Sequence, residues 1–272
     1  MVRIFLLLGM VVAANLSSAR SILAQVTTNN ALPIGDGQAL IRLQTTFTEA
    51  SADDLSLEEF SFPIVFGYGA TRNLALFAVT PLINRSLTVA GNTDSDFGIG
   101  DLTVLARYTV YQKNQEGKTF RIAPLLGLQF PLGDLGSDSF DPIQGLVVTR
   151  QTLKDSFSAS LTYQINTEGN GIEEGDEINL DLAYKYRVFP NLSSGFLFAG
   201  LESNLIFQGD DSVEGGAEID NGGTSWFLSP SVQYIAQKFV LEGAVQIPVV
   251  QDLGSDALET DIRLILGAQV NF

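Results

Sequence analysis

The 272-residue chain contains no cysteine and no histidine. The first absence excludes disulfide scaffolds and thiol nucleophiles; the second excludes zinc sites of the usual kind and His-based triads. An enzyme built from this chain would depend on carboxylates, Ser, Lys or Tyr alone. Basic residues are scarce, with 15 Lys and Arg against 31 Asp and Glu, a net charge of −16. Such a chain repels polyphosphate, and no basic patch interleaved with aromatics occurs, so nucleic acid is not an expected partner. No segment holds 18 consecutive apolar residues, so no transmembrane helix is expected. Yet 45% of the residues are hydrophobic, and the mean hydropathy is positive.

Residues 1–24 follow the three-part plan of a secretory signal peptide: Arg3, the apolar stretch Ile4 to Ala14, then small and polar residues from Asn15 to Ala19. Cleavage after Ala24 or after Ala19 fits equally. Removal through Ala24 takes Arg3 and Arg20 with it and leaves 13 basic and 31 acidic groups, a net of −18. The expected organisation is a leader over 1–24 and one domain over 25–272, within which 25–37 forms an N-terminal periplasmic or lumen segment. That segment precedes the first strand, is not amphipathic, and could run back into the lumen as a plug.

Beyond the leader, apolar and polar residues alternate with period two in stretches of roughly 10 to 16 residues, the length a tilted membrane strand needs. At the C-terminus Ile262, Leu264, Leu266, Ala268, Val270 and Phe272 point one way, and Asp261, Arg263, Ile265, Gly267, Gln269 and Asn271 the other. The segments beginning at Ser156 and Glu177 repeat the pattern. Nine weaker segments centre on 40–48, 57–69, 74–89, 98–111, 119–131, 143–152, 192–207, 224–235 and 239–249; the faces of 143–152 and 192–207 are poorly defined. Twelve strands is an even number, as expected when both chain ends lie on the periplasmic side.

Connections alternate between short and long. Short ones are read at 69–73, 112–118, 153–155, 189–191 and 236–238; long ones at 49–56, 90–97, 131–141, 167–176, 208–223 and 250–258. The long segments hold 19 of the 31 acidic residues and none of the 15 basic ones. They read either as solvated turns or as extracellular loops where divalent cations bridge to anionic surface lipid, since hard oxygen ligands favour Ca²⁺ and Mg²⁺. Asn92, Asp94 and Asp96 approximate the first half of a calcium loop, but Phe97 occupies the glycine position and no spaced glutamate follows, so no metal ligand is assigned.

A secreted β-sandwich also alternates, and some of its strands are this long, but the usual strand has only about five or six residues. Tyr68, Tyr108, Tyr111, Tyr163, Tyr184, Tyr186, Trp226 and Tyr234 lie toward strand ends, as an interfacial girdle requires. Phe272, on the lipid face of the last strand, resembles the C-terminal signal recognised by the barrel-assembly machinery.

Gly98, Ile99, Gly100, Asp101 and Leu102, followed by Ala106, Arg107 and Tyr108, resemble the GxGD motif and the strand after it in an outer-membrane β-barrel transporter family, that of the putative MetA-pathway of phenol degradation. Tyr68, Gly69, Asn73 and Leu74 resemble its YG(L/V)T(D/N) element. Phe130 to Asp134 resemble its PTGD element, with Leu132 in place of the usual Thr or Ser. Ser229, Pro230, Gln233 and Tyr234 resemble its penultimate hairpin. The likeness spans residues 35–272, and these short, glycine-rich motifs are structural. It implies an outer-membrane barrel and uptake of small molecules, aromatic ones among them.

The expected fold is therefore all-β, a transmembrane antiparallel up-and-down β-barrel of about twelve strands in the outer membrane, with periplasmic termini and long acidic extracellular loops. Charges on the inward faces become lumen-lining candidates: Arg42, Glu59, Asp101, Arg107, Arg121, Asp181, Lys185, Arg187, Glu242, Asp261 and Arg263. They pair into structural ion networks or form a selectivity constriction. No catalytic residue and no cofactor is assigned, because known hydrolases and acyltransferases of this architecture rely on a His general base. The expected function is passive uptake of small solutes, hydrophobic or aromatic among them, by a porin-like channel; the alternative is a structural or cation- and partner-binding barrel with no open pore.

Overall fold

The computed structural model describes residues 26–52, 55–192 and 195–272. The leader read at 1–24 lies outside the described residues. Twelve antiparallel strands are joined in chain order: β1 (Ala39–Ala52), β2 (Leu55–Gly69), β3 (Leu74–Val89), β4, β5 (Lys118–Phe130), β6 (Asp141–Thr152), β7 (Asp155–Gln164), β8 (Glu177–Leu192), β9 (Gly195–Gln208), β10 (Gly223–Ala236), β11 (Phe239–Leu253) and β12 (Glu259–Asn271). β4 is one strand broken twice, into Asn92–Ile99, Leu102–Tyr108 and Tyr111–Gln115. β12 pairs with β1, from Leu40 opposite Asn271 to Ser51 opposite Glu259, so the sheet closes on itself. The last residue completes the closure: the Phe272 amide donates to the Ala39 carbonyl at 2.9 Å, and the Ala39 amide donates back at 3.3 Å.

β2 shows why this sequence forms a barrel. Phe60, Phe62, Ile64, Phe66 and Tyr68 are exposed on the outside, while Glu59, Ser61, Val65 and Gly67 between them are buried inside. Large apolar side chains outside and smaller or polar ones inside have no stable place on a flat sheet in water. They fit a closed sheet whose outer face meets lipid.

Two of the six segments read as long loops are mostly strand. β3 and β4 continue to the pair Val89 and Asn92, leaving a turn of only Ala90 and Gly91, both with positive φ (48° and 82°). β1 and β2 likewise continue to the pair Ala52 and Leu55. Residues 92–97 are exposed on both faces. Ladder pairing continues past the point where one face is apolar, so alternation cannot mark where these strands end. At the opposite end, β4 and β5 run to the pair Gln115 and Lys118.

The connections after β5, β7, β9 and β11 lie at the end of the barrel away from Ala39 and Phe272 and bond to one another along that rim, forming a cap on it. Glu168–Gly169 and Ile172–Glu173 form one small hairpin, Asp211–Val213 and Ala217–Ile219 another, and Ile172 pairs with Val213 to join them into a separate four-stranded sheet. Acidic side chains hold this cap together. Asp211 accepts from the Asn221 side chain at 2.7 Å and from the Gly175 amide at 2.8 Å. Asp220 accepts from the Ser255 amide at 3.0 Å and hydroxyl at 2.9 Å. The carboxylates are used as acceptors for loop backbone, and among the described residues no cluster of three or more metal-ligating side chains occurs.

The two Ser255 donors hold the Asp220 carboxyl below its ordinary value of 3.8. A depressed folded-state pKa stabilises the cap above the ordinary aspartate range, and that contribution is lost as pH falls through the lower value. The Ser255 amide resonance should therefore titrate with a midpoint below 3.8, and the titration should vanish in Asp220→Asn.

Candidate functional site, the barrel lumen

The inward faces do not form a uniformly polar lining. Leu40, Val65, Phe77, Val79, Leu105 and Leu125, from β1 to β5, form a buried apolar cluster around Ile34. Across the lumen β7 to β11 present Ser158, Ser160, Asp181, Lys185, Glu202, Asn204, Gln233, Glu242 and Gln246, all buried. The lining of β1 to β5 thus holds an apolar patch beside its own buried Arg42, Glu59, Arg85 and Arg107, while that of β7 to β11 is richer in polar groups.

Residues 26–34 lie between the two walls. Glu202, fully buried, accepts from the amides of Val26 (3.2 Å) and Thr27 (2.9 Å) and from the hydroxyls of Thr27 (2.9 Å) and Ser231 (3.3 Å). Four donors satisfy a carboxylate removed from water. Gln44 donates to the Val26 carbonyl at 3.0 Å, and Thr149 accepts from the Ala31 amide at 2.8 Å. The Arg107 guanidinium donates to the Asn30 carbonyl and, at 2.6 Å, to the Leu32 carbonyl, while lying 4.9 Å from the centroid of the Phe77 ring. Apolar side chains of the segment find matching spots: Val26 against Ala244 and Ile265, Ala31 against Ala123 and Val147, and Ile34 in the β1–β5 cluster.

Several of the remaining charges find partners within the wall. Arg42 lies 2.5 Å from Glu242, which also accepts from Gln233 at 3.0 Å; Gln233 in turn accepts from Lys185 at 2.8 Å. Arg85 meets Glu59 at 3.2 Å. Asp181 accepts from Asn204 at 2.8 Å and from Ser160 at 2.9 Å. Toward the end bearing Ala39 and Phe272, a cavity of about 240 Å³ remains, bounded by Leu32, Ile34, Phe77, Arg107, Lys185 and Phe198.

The sequence pattern of the family described as "Putative MetA-pathway of phenol degradation" matches residues 49–247. The chain belongs to this family. No curated protein sequence matches it as a relative. Among solved structures it is similar to the COG4313 outer membrane channel from Pseudomonas putida F1, at 17% identity over 92% of this chain and 100% of that one, with a TM-score of 0.70. The transport unit of the autotransporter AIDA-I from Escherichia coli superimposes with a TM-score of 0.55 at 10% identity, over 97% of this chain and 98% of that one. The NanC porin does so with a TM-score of 0.52 at 9% identity, over 85% and 98%. At such identities the likeness is one of fold. The chain is an outer-membrane β-barrel.

Two elements that resemble family motifs prove to be halves of one contact. The Ile99 amide donates to the Asp134 side chain at 2.7 Å, and the Leu135 amide to the Ile99 carbonyl at 3.0 Å. Asp101, in the first break of β4, accepts from the amide (2.7 Å) and hydroxyl (2.9 Å) of Ser137. A Cβ on Gly136 would stand 1.8 Å from an Asp101 carboxylate oxygen, so the approach requires glycine there. The contact draws the β5–β6 connection onto the lumen rim.

Of the eleven lumen candidates, Arg42, Glu59, Asp101, Arg107, Asp181, Lys185 and Glu242 are buried, and Arg121, Arg187 and Arg263 are partly buried. Arg187 stacks on Phe196, with 5.2 Å from guanidinium to ring centroid. Asp261 departs from the reading. The β1–β12 register shifts between Glu49 and Ala50, whose partners are Ile262 and Thr260, so Asp261 is the extra residue of a bulge. It is exposed and accepts from Ser51 at 2.9 Å, while Thr260 takes the buried position. Sequence reasoning missed Glu202, Arg85 and Asn204. The signal for Glu202 was a single carboxylate in an otherwise apolar stretch, obscured because the faces of 192–207 were poorly defined.

Removing one member of a buried ion pair strands the other, at a cost of about 3–5 kcal/mol. Arg42→Ala should lower the urea midpoint of unfolding accordingly, and Arg42→Ala with Glu242→Gln should recover much of the loss. Arg107→Ala removes the clamp on the Asn30 and Leu32 carbonyls. Single-channel conductance in planar bilayers should rise while the unfolding midpoint changes less than for Arg42→Ala.

Proposed function

We propose that the protein is an outer-membrane channel for passive uptake of small solutes, including hydrophobic and aromatic ones, in which residues 25–37 act as a lumen plug. The observation that carries this reading is the apolar patch inside the lumen, which faces polar side chains of β7 to β11. A pore for hydrated ions alone gains nothing from an apolar wall of Val65, Phe77, Val79, Leu105 and Leu125. An amphipathic or aromatic solute uses both walls, one for its ring and one for its polar group. The plug is held by hydrogen bonds to the charged Glu202 and Arg107, each worth about 1.5–3 kcal/mol net, and elsewhere by neutral hydrogen bonds and small apolar contacts worth about 1 kcal/mol or less, so it is displaceable in parts.

In this reading residues 1–24 are removed as a signal peptide, the chain termini face the periplasm, and the cap of acidic loops faces outward. Phe272 is 69% exposed on the barrel exterior beside β1, a position suited to recognition by the assembly machinery. Divalent cations bridging the cap to surface lipid remain part of the proposal, with EDTA-dependent melting in lipopolysaccharide-containing detergent as the check.

The competing reading is a structural barrel with no open pore, favoured by the paired lumen charges and the plug itself. Purified protein in planar bilayers separates the two. The wild type should give small discrete conductance steps, and deletion of residues 26–34 should enlarge them and speed liposome swelling in arabinose. Silence from both proteins would establish the structural reading.

A further inference from the structure

In a chain of net charge −16, one cavity carries positive charge alone. The space of about 240 Å³ toward Ala39 and Phe272 is bounded by Arg107 and Lys185, and no Asp or Glu lines it. Neither cation forms an ion pair with a carboxylate among the described residues. Arg107 uses two of its five N–H groups on the Asn30 and Leu32 carbonyls, and Lys185 uses one of its three on the Gln233 side chain. Glu242, which reaches the lining through Gln233, is already paired with Arg42.

A third cation stands beside these two. Arg107 is opposite Leu125 on β5, and the next inward positions of β5 toward the same end of the barrel are Ala123 and Arg121. Arg121 is opposite Thr149 on β6, whose next inward residue, Gln151, lines the cavity. The register thus places Arg121 between two cavity-lining residues, and it is close enough to Arg107 for the two charges to repel. Its Nε and Nη1 are buried and have no hydrogen-bond partner among the described residues. Guanidinium nitrogens taken out of water without acceptors are costly, and two like charges side by side add to the cost. An anion removes both terms at once. Planar guanidinium groups match a carboxylate with two parallel N–H···O bonds.

We propose that Arg107, Arg121 and Lys185 form a binding site for a small organic monocarboxylate, seated in this cavity with its hydrocarbon part against Leu32, Ile34, Phe77 and Phe198. The inference rests on the channel reading above and adds to it an anionic class of solute. Inorganic phosphate leaves the apolar part of the lining unused, whereas a carboxylate on a hydrocarbon body meets both kinds of surface. The volume lies below the range of about 300–1,000 Å³ typical of drug-sized ligands, which limits the acid to a small one. The acidic cap does not oppose binding here. Eight residues of β8, roughly 26 Å of strand, separate Lys185 from Glu177 at the capped end, and salt screens solvated charges beyond about 8 Å.

The test measures binding directly. Full-length protein in detergent micelles is titrated by calorimetry at neutral pH with cyclohexanecarboxylate, with its uncharged counterpart cyclohexanecarboxamide and with inorganic phosphate, each against empty micelles. The carboxylate should bind about tenfold or more tighter than the amide, the ratio expected of a hydrogen bond to a charged group. In Arg121→Gln that preference should fall about tenfold while affinity for the amide is unchanged, a pattern that general damage to the cavity does not produce; Arg121→Lys should keep most of the preference. Lys185→Gln makes the same measurement from the other side of the cavity and decides the matter if Arg121→Gln does not fold. No binding of the carboxylate, equal binding of carboxylate and amide, or a preference that both Gln variants leave intact overturns the site while the channel reading stands. Phosphate bound as tightly as the carboxylate overturns the organic class. Carboxylate binding as expected by a protein that stays silent in the bilayer and swelling assays, with or without residues 26–34, overturns the channel reading and leaves the site.

Discussion

Lipid offers no hydrogen bonds, so every amide and carbonyl within the membrane must find its partner in the chain. Closure of β12 onto β1 meets that demand, and the rest of this molecule follows from it. Once the sheet is a cylinder, period-two alternation assigns each residue to lipid or to lumen. The lumen then becomes an enclosed space whose polar groups must satisfy one another. Arg42 with Glu242, Arg85 with Glu59 and Asp181 with Asn204 and Ser160 are answers to that second demand.

The N-terminal segment answers it as well. Glu202 is fully buried, and three of its four donors come from Val26 and Thr27. Arg107 is likewise satisfied by carbonyls of Asn30 and Leu32. Segment and wall complete each other, which couples occupancy of the lumen to the stability of its lining. At the far rim Asp101 and Ser137 fix the β5–β6 connection, and the small sheet formed by loop residues 168–173 and 211–219 joins two neighbouring connections.

Much of this was legible in the chain itself. Twelve segments, their order and the inward placement of Arg42, Glu59, Lys185 and Glu242 all follow from alternation, since a strand in a closed sheet has only two faces. Legibility failed where alternation fails. Residues 92–97 are solvated on both faces, so the strand they form reads as a loop. Asp261 was misplaced because a bulge inserts one residue and reverses the parity of everything beyond it, and nothing local in the sequence marks the insertion. The GxGD-like and PTGD-like elements were visible as separate pieces; that Asp134 binds the Ile99 amide belongs to the tertiary structure.

The sequence by itself determined the class of fold, the number of strands and which side chains face lipid, because membrane burial is a one-dimensional test applied residue by residue. It could not determine how the interior is filled. The gathering of Val65, Phe77, Val79, Leu105 and Leu125 into one apolar patch of the lumen and the docking of residues 26–34 on Glu202 and Arg107 depend on which strands stand opposite or beside one another around the cylinder. That proximity arises only on closure, between residues as distant in the chain as Thr27 and Glu202.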